Sequence, residues 1–246
     1  MNYYNYFTEV EEHFVRRRGK HLFVSPLDWS LIATWRESGV PLNVALRGID
    51  KAMDTYQSRP RRSSERLSTL FYCHDSVMAE FAAHLESHVG EGSDESPQPA
   101  AASTADGEKK AEGPDKETVV QFLNARLKEI EKLREKLHDR EPALEAVQRV
   151  QARLVEVVAE AQASQEPDAE SLERDLGILD ELLVTELQPY LPEGRLAEWE
   201  QEAKTELKVY RKRLPKETYQ KILENFIRAK THRHFEVGEL SLFLLQ

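Results

Sequence analysis

Apolar side chains recur along this chain at helical rather than strand spacing, and the recurrence changes character twice. Phe7, Val10 and Phe14 mark a first amphipathic helix over residues 3–18, stopped by Gly19. His21–Val24 is a short extended apolar piece that leads into Ser25–Ala52, the stretch around which the N-terminal part is organised. Ser25 followed by Pro26 is a helix start, with Asp28 at the positive end of the helix dipole. Leu27, Leu31, Ile32 and Trp35 then form one stripe, Gly39 closes the helix, and Pro41 restarts the next. In that second helix Leu42, Ala45, Leu46, Ile49, Ala52, Met53 and Tyr56 share a face. Gly48 sits inside it at a cost of about 1 kcal/mol against alanine, which predicts a close helix crossing there. A helix over 65–87 follows, with Leu67, Leu70, Phe71, Val77, Met78, Phe81 and Leu85 facing inward.

Residues 89–116 carry no such pattern. They are of low complexity, rich in Gly, Ser, Pro, Ala and acidic residues, a composition that buries no core and reads as a flexible tether spanning on the order of 30 Å. Beyond it the stripes lengthen. Val120, Leu123, Leu127, Ile130 and Leu137 step near heptad spacing; Val147, Val150, Leu154, Val157 and Ala161 follow, then Leu172, Leu176, Leu179, Leu183 and Leu187. Leu196, Trp199, Ala203, Leu207, Tyr210 and Leu214 mark a fourth helix, and Tyr219, Ile222, Leu223, Phe226 and Ile227 a fifth. Helices of roughly 20 to 24 residues separated by proline-marked turns predict an antiparallel bundle rather than a long interchain coiled coil. The fold class is all-α: an N-terminal helical module (1–88), a linker (89–116) and a C-terminal helical bundle (117–246).

The bundle ends on an apolar tail, VGELSLFLLQ. Leu240, Leu242, Phe243, Leu244 and Leu245 fall within six positions, too apolar to hang in water, so the tail is expected to dock. The alternation of Leu240, Leu242 and Leu244 suggests an extended segment, for which His21–Val24 is a pairing partner in the same chain.

Charge sharpens the division. The net charge is −10, yet residues 1–90 carry 11 basic and 11 acidic side chains, so the whole excess lies beyond residue 90. That balance argues against coating nucleic acid while leaving room for a local basic patch. Candidate nucleic-acid contacts are Arg16, Arg17 and Arg18 at the end of the first helix, Asn43, Arg47 and Lys51 on one face of the third, and Arg59, Arg61 and Arg62 in the loop after it. Asp50 and Asp54 stand beside the middle group and oppose phosphate. One cysteine, Cys73, excludes an internal disulfide and fits a reducing compartment. Cys73–His74 reads as a packed thiol beside an ordinary histidine rather than nucleophile and base, since neighbours on a helix point about 100° apart. Glu80, His84 and His88 share helical spacing, but there is no second pair to complete a metal site. Glu135 and His138 form a lone Glu-x-x-His, where a di-metal bundle needs two. No phosphate loop, nucleophile elbow or Cys-x-x-Cys occurs. No catalytic, cofactor-binding or metal-ligating set is therefore assigned.

The string SPLDW…W…GVPL…GID, residues 25–53, resembles the helical module of bacterial primosomal DnaD-like proteins, with VSP at Val24–Pro26 where that family has LSP. It is also similar to stretches of uncharacterised bacterial proteins of comparable size. The residues themselves, a helix, a turn with Gly39 and a second helix showing Asn43, Arg47 and Lys51, outline a helix-turn-helix, with an ordinary helical hairpin as the alternative. The resemblance implies a DNA-associated replication or regulatory role, although the aromatic–acidic motif that such proteins use on DNA does not follow the second helix here. The expectation from the residues themselves is a non-enzymatic, cytoplasmic interaction or adaptor protein that binds a protein partner or itself, with no cofactor and no membrane segment.

Overall fold

The computed structural model describes residues 6–19, 25–58, 69–89, 115–137, 139–165 and 167–245. Among them it is all-helical, and the chain divides into two compact units, Tyr6–Glu112 and Gly113–Gln246.

The first unit is built from α1 (Tyr6–Arg18), α2 (Pro26–Glu37), α3 (Leu42–Ser58) and α4 (His74–Val89), the last entered through a 3-10 turn over Leu70–Cys73. Tyr6, Phe7, Val10 and Phe14 bury the inner face of α1, and Phe7 stacks on Trp29 at 5.3 Å. Gly19 and Gly39 close α1 and α2 in the left-handed conformation, at φ 73° and 78°. At the start of α2 the Ser25 hydroxyl accepts from the Asp28 amide at 3.1 Å, while the Asp28 carboxylate accepts from the Ser25 amide at 3.2 Å. This is a reciprocal capping box that satisfies two otherwise orphan donors. The crossing at Gly48 is as close as its residue type demands: a Cβ there would lie 2.4 Å from the Cα of Val77. One expectation fails on α4. Leu85 is exposed, and Met78 and Phe81 are only half-buried, because the second half of α4 runs on past the helices that cover Val77.

The second unit is an antiparallel bundle of α5 (Lys116–Lys136), α6 (Ala143–Ala163), α7 (Ala169–Leu187), α8 (Arg195–Glu206) and α9 (Lys216–Phe235). Asp115 caps α5 through the amides of Glu117 and Thr118, and Asp168 caps α7 through those of Glu170 and Ser171. The stripes of α6 and α7 are buried throughout. Two details differ from the periodicity. On α5 the buried face is Val119, Leu123, Ile130 and Leu133, with Val120 and Leu127 at its edges, a rotation of a fraction of a turn toward α6. And α8 has 12 residues rather than two dozen, tightening at Leu207–Val209 into a 3-10 turn.

Candidate functional site

Among the described residues, the basic side chains of the first unit are engaged within it. On α1, Arg16 reaches Glu12 at 4.0 Å, and Arg18 lies 5.1 Å over the Phe14 ring. Arg17 spans to α3, with its Nε 3.0 Å from Asp50 and its Nη2 on Asp54. His13 joins the same carboxylate, Nε2 to Asp50 Oδ1, at 2.8 Å. On the other side of α3, Lys51 and Arg47 straddle Glu80 of α4 at 2.9 and 3.7 Å. The hydrogen bond and charge of Lys51, with Arg47 behind it, hold the Glu80 carboxyl below its usual range. Asn43 is exposed on the first turn of α3. Arg59, Arg61 and Arg62 lie outside the described residues, as do the side chain of His88, all of His138, the 65–68 segment and most of the 89–116 stretch. The third helix thus turns Arg47 and Lys51 along its seam with α4, as a direct consequence of the close approach at Gly48.

Cys73 and His74 are both buried. Burial, aided by the charge of Asp28, pushes the thiol up to about 12. The His74 Nδ1 accepts from the indole Nε1 of Trp35 at 3.0 Å, and burial holds this imidazole below its ordinary value against the smaller opposing pull of Asp75. The thiol is therefore held protonated rather than as the thiolate a nucleophile requires, and the Nδ1 of His74 is already taken by Trp35. Asp28 binds the unit together: besides its capping role it accepts from Thr69 Oγ1 at 2.6 Å and the Leu70 amide at 2.8 Å. It is 1% exposed, so a residue with an obvious local role also anchors the chain entering α4.

In the second unit the C-terminal tail lies in a groove of its own bundle. Val237, Leu240, Leu242 and Leu245 join the core formed by α5, α6 and α7, with Phe243 and Leu244 half-buried. Glu236, in the left-handed conformation at φ 56°, turns the chain off the end of α9. Three carboxylates then receive every second backbone N–H. The Gly238 amide donates to Glu129 of α5 at 2.8 Å, Leu240 to Asp180 of α7 at 2.8 Å, and Leu242 to Glu173 of α7 at 2.6 Å. Amides of alternate residues in an extended segment point the same way, which is why side chains on neighbouring helices reach them in series. The Ser241 hydroxyl also donates to Glu173, at 2.7 Å. Gly238 lies against Arg126, where a Cβ would fall 1.7 Å from Nη1 and the guanidinium would have to swing aside. His21–Val24, the pairing partner suggested by the alternation, lies outside the described residues; the amides of Gly238, Leu240 and Leu242 are taken by helix carboxylates.

Asp180 also faces His232 of α9, Nε2 to Oδ2 at 3.1 Å, with the two residues 3% and 5% exposed. Burial depresses the imidazolium, but the hydrogen bond and charge of Asp180, with Glu239 beyond, outweigh it and raise the pKa above the usual value. One buried carboxylate therefore ties α7 to both α9 and the tail.

A basic surface that the stripes concealed lies at the tip of the α8–α9 hairpin. Lys208, Arg211, Lys212, Arg213 and Lys216 fall within nine residues and are all exposed. Among the described residues none of the five is held in an ion pair or side-chain hydrogen bond, in contrast to Lys204 on Glu200 and Lys230 on Glu202 in the same hairpin. The signal was present in the sequence as a run free of acidic residues between Glu206 and Glu217.

No group of three or more His, Cys, Asp or Glu with metal-holding geometry occurs among the described residues, and none of their helices is long and apolar enough to cross a membrane. A protein-family model described as "Uncharacterised protein" matches residues 5–92, which takes in α1 to α4. No curated protein and no solved structure matches the chain.

Proposed function

We propose that the chain is a non-enzymatic helical interaction protein whose C-terminal bundle binds a protein partner or a second copy of itself. The observation that supports this reading is the use made of the buried ionisable groups. Asp28, His74, Asp180 and His232 each close a helix–helix or helix–tail contact, and the Cys73 thiol is held protonated. The chemistry-bearing side chains are spent on architecture. Meanwhile Val155 on α6 and Ile178 on α7, 48% and 63% exposed, leave apolar surface on the outside of the bundle. Sedimentation of the full chain over a wide concentration range, with Val155→Lys and Ile178→Lys beside it, tests the proposal. Self-association, or a stoichiometric co-purifying protein, that is lost in these variants supports it. A chain that stays monomeric and captures nothing sensitive to them sinks it. A cytoplasmic location, expected from the single reduced cysteine, belongs to the same proposal.

The second reading is the DNA-associated role implied by the DnaD-like resemblance of residues 25–53. It is supported by the helix–Gly39 turn–helix arrangement of α2 and α3. It is weakened by the carboxylates that already occupy Arg17, Arg47 and Lys51. Retention of the full chain on duplex DNA that falls steeply with salt and disappears in the Arg47→Glu, Lys51→Glu double variant would move this reading to first place.

A further inference from the structure

We infer that the tip of the α8–α9 hairpin is a docking surface for an anionic phospholipid membrane, a surface contact rather than a span. It goes beyond the protein-binding reading and does not rest on it. The tip presents Lys208, Arg211, Lys212, Arg213 and Lys216 to solvent with no carboxylate holding any of them among the described residues. In an acidic protein that sets Arg17, Arg47, Arg126 and Arg153 against carboxylates, such a cluster is an uncompensated local charge. Screening over about 8 Å at physiological ionic strength lets it act apart from the net charge of the whole chain. Phosphate groups are the matching chemistry, because guanidinium forks bind their oxygens in pairs.

Val209 decides between lipid and nucleic acid. It is 73% exposed, more than any other large apolar side chain among the described residues, and it stands between Lys208 and Arg211. A phosphate backbone gives an exposed valine nothing to bury against. A bilayer surface does, with the basic residues on headgroup phosphates and the valine in the acyl boundary. The position suits a flat partner. α8 and α9 run antiparallel, as the Lys230–Glu202 bond and the Trp199–His234 ring contact show, so the loop joining them projects at the end of the hairpin.

The test is co-sedimentation of the full chain with phosphatidylcholine vesicles, with and without about 30 mol% phosphatidylglycerol. Binding is expected only to the anionic vesicles and should weaken with salt. Each cation contributes about fivefold in affinity, so the Arg211→Gln, Lys212→Gln, Arg213→Gln triple variant should bind about a hundredfold more weakly. Val209→Ser should lose up to about tenfold with the salt dependence unchanged. Lys204→Gln, altering a lysine already held by Glu200, should bind like the parent. All substituted side chains are exposed, so circular dichroism should show unaltered helicity. The proposal is overturned if anionic vesicles are not bound, or if the triple variant binds them as the parent does. It is equally overturned if an oligonucleotide binds at least as tightly and is lost in the triple variant, since the tip would then be a nucleic-acid site.

Discussion

Replacing Asp180 by asparagine should reverse the sign of one contribution to stability rather than simply lower it. Asparagine keeps the shape and an oxygen for the Leu240 amide, so the bond that anchors the tail survives in neutral form. What goes is the charge facing His232. In the parent the His232 pKa is raised in the fold, so its contribution is fully present below the unfolded value of about 6.5 and is lost as pH rises through the folded value. In Asp180→Asn only the weaker attraction of Glu239 opposes burial and the repulsion of Arg228, and the folded pKa should drop below the unfolded one. The contribution is then full above about 6.5 and lost as pH falls.

The size follows from the burial of both partners. Truncating one member of a buried charge pair costs about 3–5 kcal/mol, and the retained neutral hydrogen bond recovers about 1 of that. A deficit of about 2–4 kcal/mol is expected near pH 5.5, shrinking toward about 1 kcal/mol as pH rises through the raised folded value. Denaturant-dependent hydrogen exchange in peptides covering α7, α9 and the tail reads it, because it separates unfolding of this unit from that of the first. His74 and the other titrating groups are common to both proteins and cancel in the difference. A deficit that stays constant across this range, or grows with pH, would refute the account of Asp180 as the charged latch.

Gly48→Ala should destabilise the first unit by about 1–3 kcal/mol, although alanine is the better helix former by about 1 kcal/mol, because its Cβ meets the Val77 backbone rather than a yielding side chain; thermal unfolding decides, and an unchanged or higher midpoint would show that α3 and α4 can part freely. Cys73 should resist alkylation in the native protein at pH 8 and react at the unfolding rate or when denaturant is added, since a thiol pushed up to about 12 is almost wholly protonated there; fast native-state labelling read by mass spectrometry would contradict its burial.

What the sequence made legible were features decided by a few neighbouring residues. The Ser25–Pro26–Asp28 start needs only a hydroxyl, a ring and a carboxylate at fixed spacing, and Gly48 announces a crossing because nothing else justifies its cost. The stripes of α6 and α7 held because each offers one apolar face. On α5 Val119 and Val120 are adjacent, and leucine or isoleucine recurs at 123, 127, 130, 133 and 137, so two overlapping faces fit the period and only α6 selects between them. The tail's partners were further out of reach: Glu129, Asp180 and Glu173 lie 109, 60 and 69 residues from the amides they accept. An acid on a helix reads as solvated by default.

One of these partners nevertheless carried a mark of its own. Asp180 is four residues after Leu176 and three before Leu183, squarely on the apolar face of α7, and His232 is seven after Asn225 and three before Phe235 on the buried face of α9. A lone ionisable group on a buried face costs several kcal/mol unless a partner meets it. An acid and a base, each on the inward face of a different helix in one bundle, are best satisfied by each other. The helix pairing α7–α9 follows from that before any packing is known. The same reasoning fixes the tail. A carboxylate has two oxygens, and once His232 occupies one side, the other must find a donor that a helix cannot supply from its interior, where amides are already bonded within the turn. The free amides are those of a segment without helix, and among the described residues the apolar segment that follows α9 begins at Val237.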